Sequence, residues 1–192
     1  MKEPFFYKLI RPILYVWFTL KYKPELINKE NIPKKGRCVL AGNHTNNLDC
    51  ISLGYGTKRC IRYVAKIELT TGLKGIFFKW MGIVPVNRQI HDKSVIPTCA
   101  KLLNQESLVA IFPEGTINRT KDIIMPFKKG AVVMAFKTGS PIVPFAINGQ
   151  YKKGKLKIIF GKPYIPKTED AEKEIEILED KVIDLIKKIG DK

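Results

Sequence analysis

Apolar residues in this chain fall into two spacings, and the two alternate along it. Large apolar side chains stand at positions 5, 6, 9, 10, 13, 16, 17 and 20, the spacing of one helix face. Short apolar runs follow at 37–41, 61–65, 83–86, 108–112, 142–147 and 156–160. Runs of this length with few polar breaks predict buried strands. Helical spacing returns between most of them. Residues 50–53 open one helix, 73–81 read as another, and 95–103 as a third, with Ser94 as its cap and Pro97 tolerated in the first turn. A fourth covers 127–138 and is closed by Gly139. The last helix, 169–189, has one stripe of Ala171, Ile175, Leu178, Val182, Leu185 and Ile189. Thr168 is placed to cap it, acids fill its first turn, Lys187 and Lys188 its last, and Gly190 ends it. This alternation predicts an α/β fold, a mostly parallel central sheet flanked by helices. There is no internal repeat and no low-complexity tract.

The N-terminal helix is a separate case. Its uncharged stretch, 12–20, is nine residues long, whereas a membrane span needs about 20. No small-residue cleavage site follows it, so it does not read as a signal peptide. Pro12 should kink it. Packing against the domain would explain its spacing. The aromatic residues, with Lys2, Lys8, Arg11, Lys21 and Lys23 around them, fit better with an amphipathic segment docked in a membrane interface. Residues 24–36 hold Pro24, Asn28, Asn31, Pro33 and Gly36 and read as a linker. The expected division is a membrane-interface helical segment over 1–30 and an α/β domain over 31–192.

Charge narrows the partners. The 192 residues carry a net charge of +16, unevenly spread. From position 169 onward there are 9 acidic and 5 basic residues, so 1–168 hold 29 basic against 9 acidic. Such an excess calls for an acidic partner: nucleic acid, anionic lipid headgroups, a phosphorylated ligand or an acidic protein. No helix-turn-helix, RNP-like or zinc pattern is present, so nucleic acid is not expected. Cys38, Cys50, Cys60 and Cys99 show no Cys-x-x-Cys spacing, and there are two histidines. Reduced thiols on a cytosolic face, and no metal site, are the expectation.

The candidate chemistry sits at strand ends. Asn43-His44-Thr45-Asn46-Asn47-Leu48-Asp49 joins a strand to a helix. A histidine there can take a proton near neutral pH, and a carboxylate five positions on can orient it. A solvated turn histidine is the alternative. Phe112-Pro113-Glu114-Gly115-Thr116 is a tight turn that can bring backbone N–H groups to an anion. Arg88 ends the 83–86 strand region, as a phosphate ligand or a surface arginine.

In order, the chain gives His-x4-Asp, Gly-x5-Arg from Gly82 to Arg88, Phe-Pro-Glu-Gly-Thr, and a Val143-Pro144 strand. This resembles the four blocks of the glycerolipid acyltransferases, the 1-acylglycerol-3-phosphate (lysophosphatidate) O-acyltransferases, over about residues 37–150. The resemblance implies that His44 is a general base and Asp49 its orienting partner. The free sn-2 hydroxyl of 1-acylglycerol 3-phosphate would then attack the thioester of acyl-CoA or acyl carrier protein, giving phosphatidate with no acyl-enzyme and no cofactor. It further implies that Arg88 and Lys66 hold the acceptor phosphate. Glu114, Gly115 and Thr116 shape the acceptor site, and Lys128 adds a positive charge. The amphipathic N-terminus looks like that family's docking helices. The implied location is the cytoplasmic face of the cell membrane, peripheral or monotopic, on an anionic surface. One departure stands out. The third block usually continues with Arg-Ser, but Ile117 and Asn118 follow Thr116 here, with Arg119 next. Arg119 could substitute, or the lysolipid headgroup could differ. A non-catalytic anionic-lipid-binding protein of the same fold and a thioesterase are the other readings.

Overall fold

The computed structural model describes residues 4–70, 75, 82–87 and 94–190. Among the described residues seven strands form one sheet: β1 (Glu25–Ile27), β2 (Cys38–Gly42), β3 (Ile61–Lys66), β4 (Val84–Val86), β5 (Leu108–Ile111), β6 (Ile142–Ile147) and β7 (Lys157–Phe160). The spatial order is β1-β7-β6-β2-β5-β3-β4. Every neighbouring pair is parallel except β6 with β7. In the middle, Leu40 of β2 lies between Ala110 of β5 and Val143 of β6.

Both faces of this sheet are covered, which is why its strands read as unbroken apolar runs. Side chains alternate between the faces. Cys38 and Leu40 join Leu108, Ala110, Val143, Phe145, Ile158 and Phe160 in one core. Val39 and Ala41 join Val109, Ile142, Ala146 and Ile159 in the other. Helices α1 (Phe5–Tyr22) and α2 (Asp49–Gly56) cover the first face through Phe18, Tyr22 and Leu53. Helices α3 (Val95–Asn104), α4 (Gly130–Thr138) and α5 (Ala171–Ile189) cover the second. The chain therefore leaves β2 towards one face and β5 towards the other. Adjacent strands whose exits diverge open a crevice at their carboxyl ends, where ligands of such sheets bind.

Helix α1 is only half used by the fold. Tyr7, Phe18 and Tyr22 are buried, while Phe5, Leu9, Ile13, Val16 and Leu20 form an exposed apolar stripe, from 53% exposed at Leu9 to 72% at Phe5. Tyr7 donates a hydrogen bond to Arg59 O (2.9 Å), and Tyr15 stacks on Tyr55 of α2 at 4.4 Å. Among the described residues no helix is long and apolar enough to cross a membrane. Pro12 lies inside the helix, where it has no N–H to donate to the carbonyl of Lys8.

The structure differs from expectation at several ends. The supposed linker contains β1, which pairs with β7 from Glu25↔Lys157 to Ile27↔Ile159. The sheet thus begins inside the stretch expected as the N-terminal segment. Helix α4 starts at Gly130 rather than 127, because Lys128 N–H donates out of the helix to Pro113 O (2.9 Å). Helix α5 is capped by Asp170, whose carboxylate accepts from the N–H groups of Glu172 and Lys173; Thr168 instead accepts from Asp170 N–H. Ser94 precedes α3 without a side-chain capping bond, whereas Gly139 closes α4 in the left-handed conformation (φ 60°) as expected. The helix expected over 73–81 and the residue Arg88 lie outside the described residues.

Candidate active site

The loop leaving β2 folds around one carboxylate. Asp49, at the start of α2, is fully buried. Its Oδ2 accepts from Thr45 N–H (2.6 Å) and Asn46 N–H (2.8 Å) and lies 2.8 Å from His44 Nδ1. Its Oδ1 accepts from Thr45 Oγ1–H (3.0 Å) and from the Tyr151 hydroxyl. Taking a charge out of water costs several kcal/mol. Five donors offset that cost, since hydrogen bonds to a charged group contribute roughly 1.5–3 kcal/mol each. An ionised carboxylate only accepts, so the proton between the two side chains sits on His44 Nδ1. Nε2 of the neutral ring then carries the basic lone pair. Among the described residues it has no partner, and the side chain remains 12% exposed.

Three further contacts fix the imidazole. Its ring stacks on Phe112 at 4.0 Å and 16°. His44 N–H donates to Glu114 Oε1 (2.7 Å), and Asn118 N–H donates to His44 O (2.8 Å). Glu114, the candidate of the Pro-Glu-Gly turn, is buried, and its Oε2 accepts from Met125 N–H (2.9 Å). It braces the loop after β2 against the segment after β5. Asn43 makes the matching bracket to β6: its amide donates to Ile147 O and accepts from Ile147 N–H, both at 2.9 Å.

The other candidates surround this point unequally. Gly115 has φ +76°, and a Cβ there would stand 2.8 Å from Lys128 Nζ, so Lys128 lies folded over the turn. Thr116 and Arg119 are exposed on the same loop, either side of buried Asn118. Lys66 is the exposed last residue of β3, in register with Val86 of β4. His44, Asp49, Glu114, Gly115 and Lys128 are thus brought together at the carboxyl ends of β2 and β5. Tyr151, Asn43, Asn118 and Phe112 were not singled out from the sequence as parts of this site. Tyr151 lies 102 positions from Asp49, and no local pattern marks it.

Two neighbouring features bear on chemistry. Burial, with the charge of Asp49, pushes the Cys50 thiol up to about 12. It is therefore a neutral thiol at working pH and no nucleophile. An apolar cavity of about 320 Å³ lies between α1, α2 and β3, lined by Leu14, Phe18, Cys50, Ile51, Tyr55 and Tyr63 among others.

The sequence model of the Acyltransferase family matches residues 23–148. A 1-acyl-sn-glycerol-3-phosphate acyltransferase of Bacillus subtilis is 38% identical over 165 residues, covering 82% of this chain and 81% of that protein. The human 1-acyl-sn-glycerol-3-phosphate acyltransferase beta is 30% identical over 67% of this chain, which spans about half of that protein (49%). Among solved structures, the 1-acyl-sn-glycerophosphate (LPA) acyltransferase PlsC from Thermotoga maritima superposes with a TM-score of 0.78 at 22% identity, over 95% of this chain and 78% of that one. The likeness to that crystal structure is one of fold.

Proposed function

Because the chain belongs to the acyltransferase family, we propose that it transfers a fatty acyl group to the free sn-2 hydroxyl of 1-acylglycerol 3-phosphate, producing phosphatidate for phospholipid synthesis. The observation that carries this reading is His44, held by Asp49 at 2.8 Å with Nε2 unpartnered among the described residues. The acceptor hydroxyl donates its proton to Nε2 as its oxygen attacks the thioester carbonyl carbon. A C–O bond forms and the carbonyl electron pair moves onto oxygen. Collapse of that adduct breaks the C–S bond, and the proton on Nε2 passes to the departing sulfur. Ester and free thiol result, using only protein groups and two substrates. Asp49 holds the ring and stabilises the imidazolium that forms between the two proton transfers.

The substrates are anions, and the exposed cations Lys66, Arg119 and Lys128, together with Arg88, supply the charge to hold the acceptor phosphate. The absence of an arginine at 117 supports a role for Arg119 in that grip. The apolar cavity beneath α1, which includes Cys50 beside Asp49 in its lining, suits an acyl chain. The donor is acyl-CoA or acyl carrier protein; the basic excess of residues 1–168 suits both. The exposed stripe of α1 fits a helix lying on an anionic membrane surface, on its cytoplasmic face, in keeping with four cysteines that form no disulfide among the described residues.

The test is acyl transfer to lysophosphatidate in mixed micelles with each donor supplied separately, products read by mass spectrometry. Wild type forms phosphatidate, and His44→Ala loses roughly 10²–10⁴-fold in rate. Free fatty acid as the main product would instead identify a thioesterase. Phosphatidate formed by His44→Ala at the wild-type rate would remove His44 from the base role.

A further inference from the structure

Asp49 is gripped on its second oxygen by a side chain that the acyl-transfer step does not require. The Tyr151 hydroxyl donates to Asp49 Oδ1 and lies 3.0 Å from Ser52 Oγ. Proton bookkeeping fixes the direction of this relay. Ionised Asp49 only accepts, so the single phenolic proton of Tyr151 points to it. Ser52 Oγ, whose one proton is shared between the phenol oxygen at 3.0 Å and Leu48 O at 3.3 Å, is the group that can donate to that oxygen. The ring has a firm seat. Tyr22, the last residue of α1, meets it edge-on at 5.6 Å, and Gly154 N–H donates to Tyr22 O (2.7 Å), tying the Tyr151 segment to that helix end.

We infer that Tyr151 is a positioning residue for the His44/Asp49 pair: its hydroxyl fixes the Asp49 carboxylate and draws off part of the negative charge that His44 faces. The consequence for catalysis rests on the acyl-transfer reading; the consequence for His44 does not. A donor on the far oxygen of a carboxylate weakens that carboxylate's pull on an imidazolium. Removing the hydroxyl therefore leaves Asp49 more basic and His44 harder to deprotonate. Burial, then the Asp49 charge, holds the Tyr151 phenol above its ordinary value, so it remains a donor throughout the working range. Among the described residues, Cys50, Tyr63, Tyr22 and Glu114 are the other titratable groups packed near the pair. Cys50 and Tyr63, whose hydroxyl donates to Cys50 O (2.6 Å), are both pushed up by burial and stay neutral. Glu114 meets the pair through the His44 N–H, which donates to its Oε1.

Tyr151→Phe tests this, because it keeps the ring against Tyr22 and removes only the hydroxyl. The chain has two histidines, His44 and His91, so imidazole signals in an NMR pH titration are assigned with one further variant, His91→Gln. The expected result is that the His44 titration midpoint lies higher in Tyr151→Phe than in wild type. In the acyltransferase assay, kcat falls about tenfold, KM for both substrates stays within about twofold, and the acid limb of the rate profile moves up with His44. Ser52→Ala, which leaves Asp49 and both rings in place, shifts His44 in the same direction by less. A merely structural role would lower thermal stability and leave the titration where it is. If His44 titrates at the same pH in wild type and both variants, Tyr151 is not a positioning residue, whatever kcat does. Because the titration needs no substrate, that outcome is separable from a failure of the acyl-transfer reading.

Discussion

At Gly115 two effects compete, and their sizes decide which matters. A methyl group there would meet Lys128 Nζ at 2.8 Å and Cε at 3.0 Å. Both belong to the flexible end of an exposed side chain, which can swing away at little cost. The φ of +76° cannot be relieved that way, and a non-glycine residue in the left-handed region costs about 1–2 kcal/mol. Gly115→Ala is therefore expected to lower unfolding free energy by about that amount in urea titrations. It should also reduce acyl transfer, since Lys128 is displaced from the turn. At this scale the sequence revealed the pair His44 and Asp49, because both lie in one loop and their spacing is local. It did not reveal Tyr151 or Phe112 as their supports. Those contacts join positions more than sixty residues apart, and no local rule encodes them.

Helices and strands were legible where burial imposed a period. The apolar run 142–147 became β6 residue for residue, and the stripe of α5 is buried from Ile175 to Ile189. Strand β1 escaped notice because it has three residues, one of them glutamate, and owes its existence to pairing with β7. Its hydrogen bonds come from a partner far away in sequence, which periodicity cannot report. Helix α1 is the element with work left over. Its inner face packs through Phe18 and Tyr22 while Phe5, Leu9, Ile13, Val16 and Leu20 face outward. Leu9→Glu with Ile13→Glu changes only that outer face. The double variant should keep the wild-type circular dichroism spectrum and melting temperature within a few degrees. It should lose at least about tenfold in binding to phosphatidylglycerol vesicles by cosedimentation, because two apolar contacts are replaced by charges repelled from the lipid. Unchanged vesicle binding would mean that α1 is not the docking element.

For the molecule as a whole, charge and topology act together. The excess of 29 basic over 9 acidic residues lies in 1–168, which contain every strand and the site, while the acidic balance falls in the segment of α5. Attraction to an anionic surface through so many exposed charges is screened by salt, with a Debye length near 10 Å at 0.1 M. Vesicle binding should therefore weaken by at least about tenfold between roughly 0.05 and 0.5 M NaCl, and the residual binding at high salt should be the part that Leu9→Glu/Ile13→Glu removes. By itself the sequence determined the α/β class, the strand-to-helix alternation, the basic bias and the spacing of His44 and Asp49 in the loop after β2, since each is written in local spacing or in composition. Only the tertiary structure decided the order β1-β7-β6-β2-β5-β3-β4. That order sets β5 beside β2, sends their exits to opposite faces, and so brings Glu114 to the backbone of His44 and Tyr151 to the carboxylate of Asp49. Strand order is a choice among pairings of similarly apolar runs. It is settled by how both faces of the whole sheet are buried at once, which no single stretch of the chain contains.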